Sequence, residues 1–167
     1  MTPTVTWPNG LVDFYAALHS LAPLILGGTL AVIDPSIGSR DSQPGFAVFH
    51  QGRIQVSGTL EIPWRETSYR RLQLLYERVA VLLPAPPDVF AVEEIHKSIC
   101  KVNLLWAVGV SIAAAQAPQT IEIPLSHWKA LAKATPDYKK GDEADARMMG
   151  ESLIAWCREH CAEGSAA

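Results

Sequence analysis

Three widely separated segments each carry carboxylates to a place where a folded chain could use them. Leu30-Ala-Val-Ile-Asp-Pro-Ser36 is a short apolar run ending in Asp34, Phe90-Ala-Val-Glu-Glu94 is a second run ending in two acids, and Asp142-Glu-Ala-Asp145 opens a helical stretch. The first reads as a buried strand, from its length and from the turn residues that stop it. Open α/β sheets bind ligands outside their strand ends, so Asp34 leaves the core at a chemically useful edge. Strand alternation lets only one of Glu93 and Glu94 face that edge. Asp142 and Asp145 are three apart and share a helix face. Carboxylates gathered from three segments repel one another strongly unless divalent cations sit between them, which points to a two-metal nuclease site. Plainer roles exist for each acid alone: Asp34 as a turn residue, Asp142 as an N-cap with Glu143 complementing the helix dipole. Those roles leave Asp145 without a function.

Basic residues lie near these acids along the chain. Lys129, Lys133, Lys139 and Lys140 surround a short helix at 125–134. Lys139 and Lys140 immediately precede the last acids and would neutralise backbone phosphates, with a solvated face as the alternative. Lys97 and Lys101 follow Glu93 on the next helix and would line the same groove. His127 is read as a packed ring rather than a proton carrier.

The remaining composition narrows the class. A chain of 167 residues with 49% hydrophobic and 19% charged residues supports one globular domain rather than two, and excludes bulk disorder. A formal net charge of −3 gives no global basic footprint, although a cluster of metal-binding acids would itself depress the count. Cys100, Cys157 and Cys161 have no zinc spacing and read as free thiols in a reducing compartment. No Lys or Arg precedes Arg40, so neither a secretory signal nor a basic presequence is expected. The uncharged stretch from Phe14 to Ile33 is broken by Pro23, Gly27 and Gly28, and is not expected to span a membrane.

The elements that must position these groups follow in order. Residues 1–10 read as an irregular arm, and Leu11 to Leu21 as a helix whose role stays open between packing on the sheet, a dimer contact and a partner contact. After the Asp34 strand, Phe46 to His50 and Arg53 to Leu60 flank a Gln51-Gly52 turn, giving an antiparallel meander. A helix over 66–83, a strand ending in Glu93, a largely buried helix over 98–116, a strand at 120–123 and helices at 125–134 and 142–161 complete the chain. Divided by role, residues 1–28 form an arm and helix, 29–161 the main domain and 162–167 a frayed tail. The expected fold is α/β: a mixed five-stranded sheet flanked by helices, with an extra N-terminal helix. That order matches the ribonuclease H-like architecture.

Ala31-Val-Ile-Asp-Pro35, Ala91-Val-Glu-Glu-Ile95 and Asp142-Glu-Ala-Asp-Ala146, in this order over about residues 29–160, resemble the motifs of the RuvC-type Holliday-junction resolvases. The resemblance favours Glu93 over Glu94. It implies that Asp34, Glu93, Asp142 and Asp145 ligate two Mg²⁺ ions, with Mn²⁺ able to substitute, and that Lys129, in Pro124-Leu-Ser-His-Trp-Lys129, meets the scissile phosphate. His96 stands where bacterial members carry an aromatic that stacks on bases near the junction centre, so His96, Lys97, Lys101, Lys139 and Lys140 are the expected DNA contacts. The implied protein is a homodimeric endonuclease that cuts four-way DNA junctions in the cytoplasm of a bacterial cell or phage-infected host. Alternatives are a related nuclease acting on flaps, forks or hybrids, and a non-catalytic nucleic-acid-binding module of the same fold. Two departures, a short segment between the fifth strand and the last acids and the added N-terminal helix, mark a divergent member of the kind a phage or other mobile element carries.

Overall fold

The apolar run ending in Asp34 forms β2 (Thr29–Asp34), which is almost wholly buried because it lies inside the sheet with a neighbour on each edge. The structure, a computed structural model, describes residues 2–36, 43–95 and 102–161. Preceding β2 are β1 (Thr4–Thr6) and α1 (Leu11–Gly27). The meander follows as β3 (Gly45–His50) and β4 (Arg53–Thr59), then α2 (Ser68–Leu82), β5 (Val89–Glu93), α3 (Val102–Ala115), β6 (Gln119–Ile123), α4 (Leu125–Ala134) and α5 (Asp142–Cys161). The strands form one sheet in the order β1-β6-β5-β2-β3-β4. β2, β3 and β4 are antiparallel neighbours, whereas β5 joins β2 in parallel and β6 joins β5 in parallel.

The sheet has six strands, not the expected five. Thr4–Thr6, read from sequence as part of an irregular arm, pairs in parallel with β6, Thr4 opposite Gln119 and Thr6 opposite Ile121. Three residues are too few to display a period of two, and this strand exists because β6 offers it an open edge. α1 also runs past its expected end, through Pro23 to Gly27. Ala22 and Ile25 extend the buried face of Phe14, Leu18 and Leu21, and that packing outweighs the hydrogen bond that Pro23 cannot donate. Of the roles open to it, packing is the one seen: α1 packs against α5 and the sheet.

Alternation along the strands divides the core in two. Leu30 and Val32 of β2, Ala47 and Phe49 of β3, and Val89 and Ala91 of β5 pack under α1, α4 and α5. Ala31, Ile33, Phe46, Phe90 and Val92 point to the other face, against Leu75 and Val79 of α2 and Ala107 and Val108 of α3. α2 starts at Thr67, whose hydroxyl accepts the amide of Arg70, an N-cap that satisfies one otherwise orphaned donor. α5 comes close enough to β3 that a side chain on Gly150 would collide with the ring of Phe49. Contrary to expectation, α3 buries only part of its surface. Its small residues face the sheet, while Leu105 and Trp106 are exposed. A helix apolar on all sides gives no periodic clue to its inner face. Among the described residues, no helix is long and apolar enough to cross a membrane.

Candidate active site

The same alternation that builds the core aims the acids. Asp34 continues the series Leu30, Val32 and Glu93 continues Val89, Ala91, so both strand ends present a carboxylate on the face covered by α5. The first turn of α5 carries Asp142 and Asp145 to that rim. Asp34, Glu93, Asp142 and Asp145 line one cavity of about 520 Å³ together with Ser36, Lys129 and Lys140. The neighbouring acids are diverted elsewhere. Glu94 accepts the amide of Leu125 at 3.1 Å and caps the start of α4, and Glu143 accepts the hydroxyl of Ser57 at 2.6 Å.

Each acid in the cavity has an identifiable environment. Asp34 is only 4% exposed, and the hydroxyl of Ser36 donates to its Oδ1 at 2.7 Å. Burial pushes its pKa up to about 7; the Ser36 hydrogen bond opposes the rise, and the charges of Asp142 and Asp145 add to it. Glu93 is pushed up to about 8, first by burial and then by Asp34, with Lys129 and Lys140 pulling the other way. Asp142 Oδ2 accepts the backbone amide of Gln43 at 2.9 Å. Asp145 Oδ1 accepts the hydroxyl of Tyr138. The donors present are hard oxygen ligands of the kind Mg²⁺ and Mn²⁺ take, so in chemistry they fit a divalent cation. Among the described residues, however, no group of three or more His, Cys, Asp or Glu side chains is drawn together closely enough to hold a metal ion. The four acids share the cavity lining without converging on one point.

The other sequence-derived candidates divide. Lys129 and Lys140 are at the cavity, and both lie near enough to Glu93 to favour its ionised form. Lys139 lines a separate depression with Asp137, Arg147 and Glu151. His96, Lys97 and Lys101 fall outside the described residues. His127 is packed among Phe14 and Tyr15, with its Nδ1 3.2 Å from the Tyr15 hydroxyl, and burial lowers its pKa. Sequence reasoning missed Ser36, Lys133 and Tyr138 at this cavity. Lys133 was findable, since it follows Lys129 by one helical turn; Ser36 and Tyr138 sit in turns with no pattern to mark them.

These acids make a stability prediction. Carboxyls with raised pKa values keep protons in the folded state that the unfolded chain has already released, so stability falls as pH rises between about 4 and about 8. In chelator, the Tm at pH 8.5 is expected to lie roughly 5–10 °C below that at pH 5, given about 1.4 kcal/mol per pKa unit and a discount for the partial exposure of Glu93. A thermal melt series across that range checks it. A flat or rising Tm would contradict the burial and crowding that raise these two carboxyls.

Fold and site together define an α/β domain with acids gathered at the rim of a mixed sheet. No protein-family model matches the sequence, and no curated protein is significantly similar to it. Solved structures of RuvC from Thermus thermophilus are similar in fold. One, of that protein in complex with a Holliday junction substrate, gives a TM-score of 0.60 at 18% identity over 78% of this chain and 94% of that one. A second gives 0.56 at 17% identity over 80% and 96%. At this identity the likeness is one of fold alone.

Proposed function

We propose that this protein is a Mg²⁺-dependent, structure-selective DNA endonuclease that resolves four-way junctions by paired symmetric nicks, in the cytoplasm of a bacterial cell or phage-infected host. What carries the reading is the sharing of one cavity by Asp34, Glu93, Asp142 and Asp145, with lysines at its wall. These four acids would ligate two ions, Mg²⁺ or in its place Mn²⁺. Bound there, the ions would activate the attacking water and neutralise charge on the leaving oxygen, giving a 5′-phosphate end. Ser36 orients Asp34. Lys129 and Lys140 draw a backbone phosphate toward the acids and offset part of their charge, Lys139 extends the DNA contact beyond the cavity, and His96, Lys97 and Lys101 would be further DNA contacts.

Two symmetric cuts need two sites related by a two-fold axis, and hence a homodimer. Tyr76 of α2 with Leu105 and Trp106 of α3 frame an exposed apolar depression of about 480 Å³, which supplies a surface for the second copy.

Incubation of the full chain with a labelled immobile four-way junction, with and without Mg²⁺ or Mn²⁺, tests this function. Metal-dependent nicks at symmetric positions are expected. Cleavage of flap, fork or hybrid substrates in preference would replace the junction by those substrates. Tight binding without cutting in either metal would leave a non-catalytic binding module.

A further inference from the structure

The short link between α4 and α5, one of the features that sets this chain apart from the bacterial pattern, delivers a side chain to the acid cluster. Tyr138 lies in that link, and its hydroxyl donates a hydrogen bond to Asp145 Oδ1. The tyrosine is held from two sides. Its amide donates to the carbonyl of Thr135 at 3.2 Å, Thr135 in turn donates its hydroxyl to Leu131 O at 2.9 Å, and the ring packs against the core beneath α4 and α5. Asp145 is itself fixed at its backbone, where its amide donates to Gly141 O at 2.7 Å. Both ends of the Tyr138–Asp145 contact are therefore anchored, and a hydrogen bond to an ionised carboxylate is of the stronger kind. Asp142 differs, because a main-chain amide orients it. Asp145 is instead oriented by a side-chain donor, the Tyr138 hydroxyl.

On the reading of the cavity as a cation site, we infer that Tyr138 is a positioning residue: its hydroxyl commits one oxygen of Asp145 and leaves the other to serve as a ligand for a hard divalent cation. Donors behind a ligating carboxylate fix its orientation before the ion arrives, and their removal typically weakens metal binding by about ten- to a hundredfold. Tyr138 is not a catalytic residue in this scheme, since it acts through Asp145.

The test measures Mn²⁺ affinity without nucleic acid, from the electron paramagnetic resonance signal of free Mn²⁺, for the wild type, Tyr138→Phe and Asp145→Asn. Tyr138→Phe is expected to bind Mn²⁺ about tenfold more weakly than the wild type. Its half-saturating Mg²⁺ concentration for nicking should rise by the same factor, with the rate recovered at saturating metal, which a folding defect would not allow. Equal or tighter Mn²⁺ binding by Tyr138→Phe overturns the positioning role while leaving the cation site standing. Absence of Mn²⁺ binding by the wild type overturns the cation site itself, and this role with it.

Discussion

Asp34→Asn is expected to lower metal-dependent nicking by about a thousandfold or more while raising the stability of the metal-free protein. The two effects have one cause. Asp34 is buried at the end of a central strand, where burial and the charges of Asp142 and Asp145 make its ionised form costly. A neutral amide of the same shape keeps the Ser36 hydrogen bond to Oδ1 and removes the like-charge repulsion, so the fold gains at pH 8, by about 1–2 kcal/mol. The same change removes a negative oxygen from the proposed cation site, so a Tm increase with Mg²⁺, expected for the wild type, should be absent from the variant. Single-turnover nicking and thermal melts with and without Mg²⁺ measure both halves. A variant that cuts within tenfold of the wild type would remove Asp34 from the site, and one that is less stable at pH 8 would contradict the repulsion.

Gly45→Ala is expected to be nearly as damaging, although Gly45 has no side chain to take part in chemistry. It is the register partner of Asp34 across β2 and β3, and a Cβ built on it would run into the main-chain carbonyl of Asp142 and crowd the amide of Glu143. Both obstacles are backbone at the first turn of a twenty-residue helix, so they cannot swing aside. The helix start must move away from the sheet, taking Asp142 and Asp145 with it. Overpacking of this kind costs about 1–3 kcal/mol, and a displacement near 1 Å at a reacting centre costs about a hundredfold in rate. Gly27→Ala, where an added Cβ meets nothing within 4 Å, is the control and should be neutral. If Gly45→Ala melts and cuts like the control, the close approach of β3 to α5 does not position the site.

Much of this arrangement was legible along the chain. The apolar runs before Asp34 and Glu93 announced their strands, because a short run closed by an acid or a proline has few other solutions in a domain of this size. Helix α4 begins at Leu125 and ends at Ala134 as its pattern predicts, and the spacing of Asp142 and Asp145 placed both on one face. The two-residue period showed that only one of Glu93 and Glu94 could face the rim, and the choice of Glu93 rested on the motif resemblance. Long-range pairing was not legible. β1 is three residues long and is defined by the edge of β6, more than a hundred positions later. The inner face of α3 was hidden by its uniform apolarity, and α1 outran its proline because tertiary burial outweighed a local penalty.

Local composition, then, determined most of the strands and helices, β1 and the end of α1 excepted, and where the carboxylates stand on them, since side-chain period and turn chemistry act over a few residues at a time. The tertiary structure alone decided that β3 touches the start of α5 at Gly45, that a lysine on α4 and another before α5 reach the same cavity, and that Tyr138 supports Asp145. Those contacts join residues whose relative placement depends on strand order and helix docking, which are set by burial of the whole core and carry no short-range mark in the sequence.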